Sequence, residues 1–382
     1  MKRYAFIAIC VIFLSLASIL YPSAEEGTEE AVTLPSAYGE VENAIPPALS
    51  ELLPDGLFSQ NAKEALNAAT QLTGWRYLLN TLLSAVGLRL GDGVALLATL
   101  TGLILVSAIL GRLREGLGGQ SGELFGFCLR LTLFTAIIAQ VSGTVAAVQD
   151  YLKSLSELTS SMIPVMGVLY ALGGDMGRAA VNSEILGVFL VILQYISGSV
   201  TPPVCGICTV FSFLDAIGAK ALLAPLREQI KRWYATLLGV VTFLFSLALS
   251  TQSVLASRGD SLGMKGIKYA VGSMIPMVGG AIAGTLSTVA AGVSALRGIC
   301  GVSGIILVVL LLLPTLVELL LLRAVLSLAA AVASMLSCEG EAKLLREMVS
   351  LQGYLIAAVS LCSVIFLLAL TLMTGCVSAL AK

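Results

Sequence analysis

Residues 259–320 read GDSLGMKGIKYAVGSMIPMVGGAIAGTLSTVAAGVSALRGICGVSGIILVVLLLLPTLVELL. Lys265 and Lys268 lead into Gly-rich apolar segments interrupted at Pro276 and Pro314. In water, that much small-residue apolar surface packs poorly. In lipid, small residues let helices approach closely, and a proline break is tolerated where protein or water covers the freed backbone. No side chain in the stretch equips it for ordinary enzyme chemistry. It predicts an all-α polytopic membrane protein, organised as a packed bundle or around a passage.

The rest of the chain agrees. Of its 382 residues 57% are hydrophobic and 12% are charged, with a mean hydropathy of +0.97. A soluble domain carries about 25% charged residues, so this composition cannot cover a water-exposed surface. Net charge is −1 with no basic tail, which points away from nucleic acid. There is no histidine, which removes the commonest general base, metal ligand and proton shuttle near neutral pH. No Walker A, HExxH or GxSxG pattern is present, so the expectation is a protein that is not an enzyme and holds no cofactor. The eight cysteines fall almost entirely in apolar runs. Cys205 and Cys208 form a lone CxxC without the further ligands zinc needs or the βαβ context of a redox motif, so buried small side chains are the expected reading.

Lys2 and Arg3 precede the apolar run 4–21, a signal peptide or N-terminal anchor over 1–24. Residues 25–58 are acidic and carry Pro35, Pro46, Pro47 and Pro54; they read as a flexible extracytoplasmic segment. Residues 59–92, with Trp75, Arg76 and Tyr77 together, read as an amphipathic helix at the membrane surface. First membrane helices are expected over 93–150, followed by membrane repeats at 151–258 and 259–382. Candidate spans fall near 93–111, 124–148, 158–174, 185–200, 203–219, 233–256, 269–296, 299–313, 314–337 and 353–378, several of them shorter than the roughly 20 residues of a straight span. By the positive-inside rule the loops with Arg112 and Arg114, and with Arg227, Lys231 and Arg232, are cytoplasmic, while 150–157 fits the outside. This scheme leaves Arg258, Lys265 and Lys268 outside.

The repeat rests on an echo. Ser161-Met-Ile-Pro164-Val-Met-Gly167 returns as Ser273-Met-Ile-Pro276-Met-Val-Gly279. Pro202 matches Pro314 in the same register, and Leu226-Arg-Glu228 matches Leu345-Arg-Glu347 with a small gap. The repeats would run parallel, a common transporter plan. Pro164, Gly167, Pro276, Gly279, Gly280 and Gly284 are therefore candidate pathway or packing residues, expected as paired Pro/Gly-broken helices, and 280–284 is also a GxxxG match. Arg130, Asp215, Glu318 and Arg323 are the candidate intramembrane charges, read either as pathway residues or as side chains snorkelling to the interface.

Arg258-Gly-Asp260, Lys268-Tyr269-Ala270, Ile275-Pro276-Met-Val-Gly279-Gly280, Gly301-Val-Ser-Gly304 and Pro314 together resemble the stage III sporulation protein AE family. The N-terminal signal, acidic exported segment and multispanning body are similar as well. The resemblance implies a membrane subunit of the stage III A transenvelope complex of endospore formers, sited in the mother-cell membrane around the forespore. Its implied partners are other membrane subunits, ring-forming proteins, a cytoplasmic ATPase and membrane lipid, in a channel or secretion-like apparatus that sustains the forespore. The family supplies no catalytic residues to carry over. From a different class, a self-contained secondary transporter would couple ions through Asp215, Glu318 or Arg130.

Overall fold

The computed structural model describes scattered positions between 38 and 68, then residues 75–117, 120–172, most of 185–217, 223–245, 247–248 and 279–375. The expected signal (1–24), most of the acidic segment, Pro276, Arg258, Lys265 and Lys268 lie outside the described residues. Every regular element described is helical: α1 (Trp75–Leu117), α2 (Gln120–Leu172), α3 (Thr201–Ile217), α4 (224–245), α5 (Gly279–Met335) and α6 (Glu339–Gly375). In an apolar solvent the backbone must satisfy its own hydrogen bonds, and an apolar run has no competing partner but the helix. Among the described residues five helical segments are long and apolar enough to cross a membrane: Arg89–Arg112, Arg130–Val165, Gly187–Ala216, Ser303–Met335 and Glu339–Leu367.

The helices are fewer and longer than the spacing of prolines and charges predicts. The separate spans expected at 124–148 and 158–174 are one 53-residue helix with Pro164 inside it. Those expected at 299–313 and 314–337 belong to one 57-residue helix that continues through Pro314. A lone proline removes one donor, whereas ending the helix would strip several backbone groups of partners in lipid, so the helix continues. The expected outside loop 150–157 is helical too. Lys153 and Glu157 face out from α2 as an i,i+4 pair at 3.9 Å. Likewise α1 runs from Trp75 to Leu117 with no break near 92.

Among the prolines inside the described helical segments, Pro202 marks an irregularity. A π-helical turn, Ile196–Val200, leads straight into α3. Pro202 and Pro203 together withdraw two donors, and the Ile196 carbonyl accepts both the Thr201 backbone N–H and, at 3.0 Å, the Thr201 hydroxyl, the local rearrangement a π-turn provides.

α5 and α6 form the central hairpin and pack over most of their length. The turn between them is closed by Cys338 N–H to the Ala333 carbonyl at 2.9 Å, with Ser337 in the left-handed region at φ 62, a C-terminal cap of Schellman type. α1 runs parallel to α5: Arg89 meets Glu318, and Gly93 lies against Val325. α2 runs parallel to α6, with Arg130 beside Glu341 and Tyr151 bonded to Ser363 at 2.6 Å. α3 and α4 make a second hairpin against α6, tied by Thr201 to Tyr234 at 2.9 Å. Stacked rings at 4.0 Å, Phe134 on Phe213 and Phe189 on Phe245, join these elements.

Depth along the bundle follows from these contacts. Arg130, Asp215, Arg227, Lys231, Glu341 and Glu347 share one level. Arg89 and Glu318 define another, about 27 Å away at the rise of an α-helix. That separation matches a hydrocarbon core of about 30 Å. α2, α5 and α6 extend past the second level, where Gly304 is crowded by Met162 and Leu370. There Tyr38, from the segment before α1, packs with Val41, Ile45 and Leu57, and its hydroxyl reaches Ser303 Oγ at 3.0 Å.

Candidate functional site

The densest polar constellation lies at the first charged level, where α3, α4 and α6 meet. Asp215 ends α3 and is buried. One of its carboxylate oxygens accepts the Leu223 backbone N–H at 3.1 Å, which caps the start of α4; the other accepts from Arg227 Nη1 at 3.0 Å. A carboxylate at a helix N-terminus satisfies an orphan donor and complements the helix dipole. Pro225 suits that first turn because its missing N–H has no partner there anyway. Arg227 and Lys231, one turn apart on α4, are each only 2% exposed. Arg227 Nη2 reaches Glu347 at 2.8 Å, and Lys231 Nζ reaches the other Glu347 oxygen at 3.0 Å, Glu228 at 3.2 Å and Ser350 at 3.3 Å.

A second cluster stands beside it. Glu341, in the first turn of α6, accepts from Ser107 of α1 at 2.7 Å and pairs with Arg130 of α2 at 3.7 Å. Gly340 makes room for it: a Cβ there would lie 3.2 Å from both the Ala216 carbonyl and Arg130 Nε. Glu341 and Glu347 of α6 thus bind α1, α2 and α4, and α3 joins them through Asp215 and Arg227. At the second level Arg89 and Glu318 pair at 3.0 Å, partly exposed.

Three of the four charges singled out in the sequence therefore acquire partners, and each pair joins two helices. Asp215 takes Arg227, Arg130 takes Glu341, and Glu318 takes Arg89. Arg323 rests against α6, where a Cβ on Gly353 would stand 3.1 Å from its Nη1. The partners themselves were not foreseen. Arg227 and Lys231 read as loop charges of the positive-inside pattern, yet they are buried. The signal that could have found them is the Leu226-Arg-Glu228 and Leu345-Arg-Glu347 echo, because Arg227 of the first copy and Glu347 of the second bind each other.

The small-residue candidates do not converge with the charges. Pro164 is exposed on α2 and Gly167 partly so, both beyond the second charged level. Gly279, Gly280 and Gly284 lie in the first turns of α5, and Pro276 is outside the described residues. Cys205 and Cys208 are buried on the inner side of α3.

The family model described as "Stage III sporulation protein AE" matches residues 59–377 of the chain. No curated protein and no solved structure matches it.

Proposed function

This chain belongs to the stage III sporulation protein AE family, and on that premise we propose that it is a multispanning, non-catalytic subunit of a channel or secretion-like complex linking mother cell and forespore. It sits in the mother-cell membrane around the forespore, with the level that holds Arg130, Arg227 and Lys231 on the cytoplasmic side. Its partners are other membrane subunits of the complex, ring-forming proteins between the membranes and a cytoplasmic ATPase.

The match over residues 59–377 carries the reading. The geometry supports it through the use made of the buried charges. Asp215 and Glu318, the carboxylates a self-contained transporter would use for ion coupling, are each held by an arginine. The Asp215–Arg227 pair is buried and the Glu318–Arg89 pair partly exposed; a buried pair can fix the register of helices, a structural use suited to a scaffold subunit.

Two experiments test it. Deletion of the gene is expected to abolish or sharply reduce spore yield while leaving vegetative growth unchanged; a normal spore yield, or an equal vegetative defect, would sink the sporulation role. Purification from sporulating cells is expected to recover an ATPase and ring-forming proteins with the chain. Recovery alone, together with gradient-driven solute uptake by the purified protein in liposomes, would establish the transporter instead.

A further inference from the structure

Two charges within the membrane layer stand apart from the networks above. Arg323 lies partly exposed in the groove between α5 and α6. Asp92 is exposed on α1, one turn inside the Arg89–Arg112 span. Among the described residues neither has a hydrogen-bond or ion-pair partner. An unpaired ionised group facing lipid is costly, and such groups find partners in other helices.

Asp92 and Arg323 are opposite in sign and equal in depth. Gly93 lies against Val325, with 3.7 Å from its Cβ position to Val325 Cγ2, so the neighbouring residues 92 and 324 share a level. They do not meet within one copy. Residues two apart on a helix point to nearly opposite sides, so Val325 faces α1 while Arg323 faces away from it.

We infer that the groove bearing Arg323 receives α1 of a second copy of this chain, with Asp92 of that copy paired to Arg323. Rotation about the membrane normal preserves depth, so groups level in one copy are level between copies. The two surfaces are different faces of the molecule, and such a head-to-tail contact closes a ring when its rotation divides the full circle.

The helix faces that carry the charges suit close contact. Beyond Asp92, α1 turns Ala95, Thr99 and Gly102 outward, at alternating spacings of three and four. A Cβ on Gly102 would meet nothing within 4 Å. Beyond Arg323, α5 turns Ala324, Ser327, Ala331 and Ser334 outward at the same spacings. In the register fixed by Gly93 and Val325, Ala95 is level with Ser327, Thr99 with Ala331 and Gly102 with Ser334. Small residues then face one another along parallel helices, with the exposed Leu328 and Met335 beside them on α5, and small residues let membrane helices approach and pack. The segment 185–200 and α4 present bulky Val191, Tyr195, Trp233 and Phe243, each more than 60% exposed, which suit lipid.

The test uses the full chain in its native membranes, expressed as two differently tagged copies in which the native cysteines are replaced. One copy carries Ala95→Cys and the other Ser327→Cys. Oxidation is expected to join the two tags. Asp92→Arg or Arg323→Asp alone is expected to lower the joined fraction about tenfold, and the two together to restore it. A separate chain carrying Gly93→Cys and Val325→Cys reports folding through its internal cross-link. If that internal link forms while the tags stay unjoined, or if Ser327→Cys links only to other proteins, the inference is overturned. An unchanged joined fraction in both single charge variants also overturns it.

Discussion

Arg227 is the residue on which the first charged level depends. Its two terminal nitrogens hold Asp215 and Glu347 from two other helices, and its side chain is 2% exposed. Removing one member of a buried network leaves the others charged and unpaired, which costs about 3–5 kcal/mol. Arg227→Ala is therefore expected to lower the melting temperature of the detergent-solubilised protein markedly. Arg227→Met and Lys231→Met combined with Asp215→Leu and Glu347→Leu should recover most of the loss, because apolar replacement of a whole buried network is often near neutral. If Arg227→Ala melts like the parent, the network contributes nothing to stability. This is also where the sequence was least legible. That Asp215, Arg130 and Glu318 are special follows from charge in an apolar run, but their partners are set by helix packing. Arg130 and Glu341 lie 211 positions apart, a distance that no local spacing rule spans. Asp215 and Arg227, only 12 positions apart, were closer to hand, but loop composition hid the fact that α3 and α4 fold back on each other.

At the level of the element, prolines misled because their meaning depends on the solvent. In water Pro314 would be a sound helix boundary; here α5 passes through it, with buried apolar Leu310 and Leu312 before it and Val317 and Leu319 after it. A proline in a helix interior carries a penalty of about 3 kcal/mol, part of which packing in the hairpin offsets. Pro314→Ala is expected to raise the melting temperature and leave the protein assembled, because it restores a donor to a helix that is already continuous. A lower melting temperature would show instead that the proline shapes α5. The hydrophobic runs themselves were readable, since each apolar stretch is helical wherever it is described. The number of helices was not, because it depends on whether adjoining runs fuse.

For the whole molecule, α2, α5 and α6 extend past the second charged level, and Tyr38 ties the segment before α1 to that end. Burial pushes the Tyr38 phenol above the ordinary tyrosine value, with the Ser303 hydrogen bond opposing only in part. A raised value in the folded state means that the protonated phenol supports docking. That support is full below the ordinary value and fades as pH rises beyond about 10. Protease sensitivity of the 38–68 segment is expected to increase above that pH, and Tyr38→Phe should flatten the dependence. Equal pH dependence in the two proteins would remove Tyr38 as its cause. The acidic composition of this segment gave no hint of docking, because the contact depends on one tyrosine and one serine 265 positions apart.

The pairing of charges at the two levels also has an electrical side. A transmembrane voltage does work only on net charge displaced through the field, about 2.3 kcal/mol per elementary charge per 100 mV for a full crossing. Arg130 with Glu341, and Arg89 with Glu318, are neutral pairs at the two edges of the field, so small shifts of either pair are electrically silent. Arg323 sits about 7.5 Å inside the level of Glu318 by helical rise, roughly a quarter of the way to the other charged level. Displacing that one guanidinium registers as a fraction of a charge crossing, and so does displacing the exposed Asp92 of α1 at nearly the same depth; pairing the two between copies makes both electrically silent.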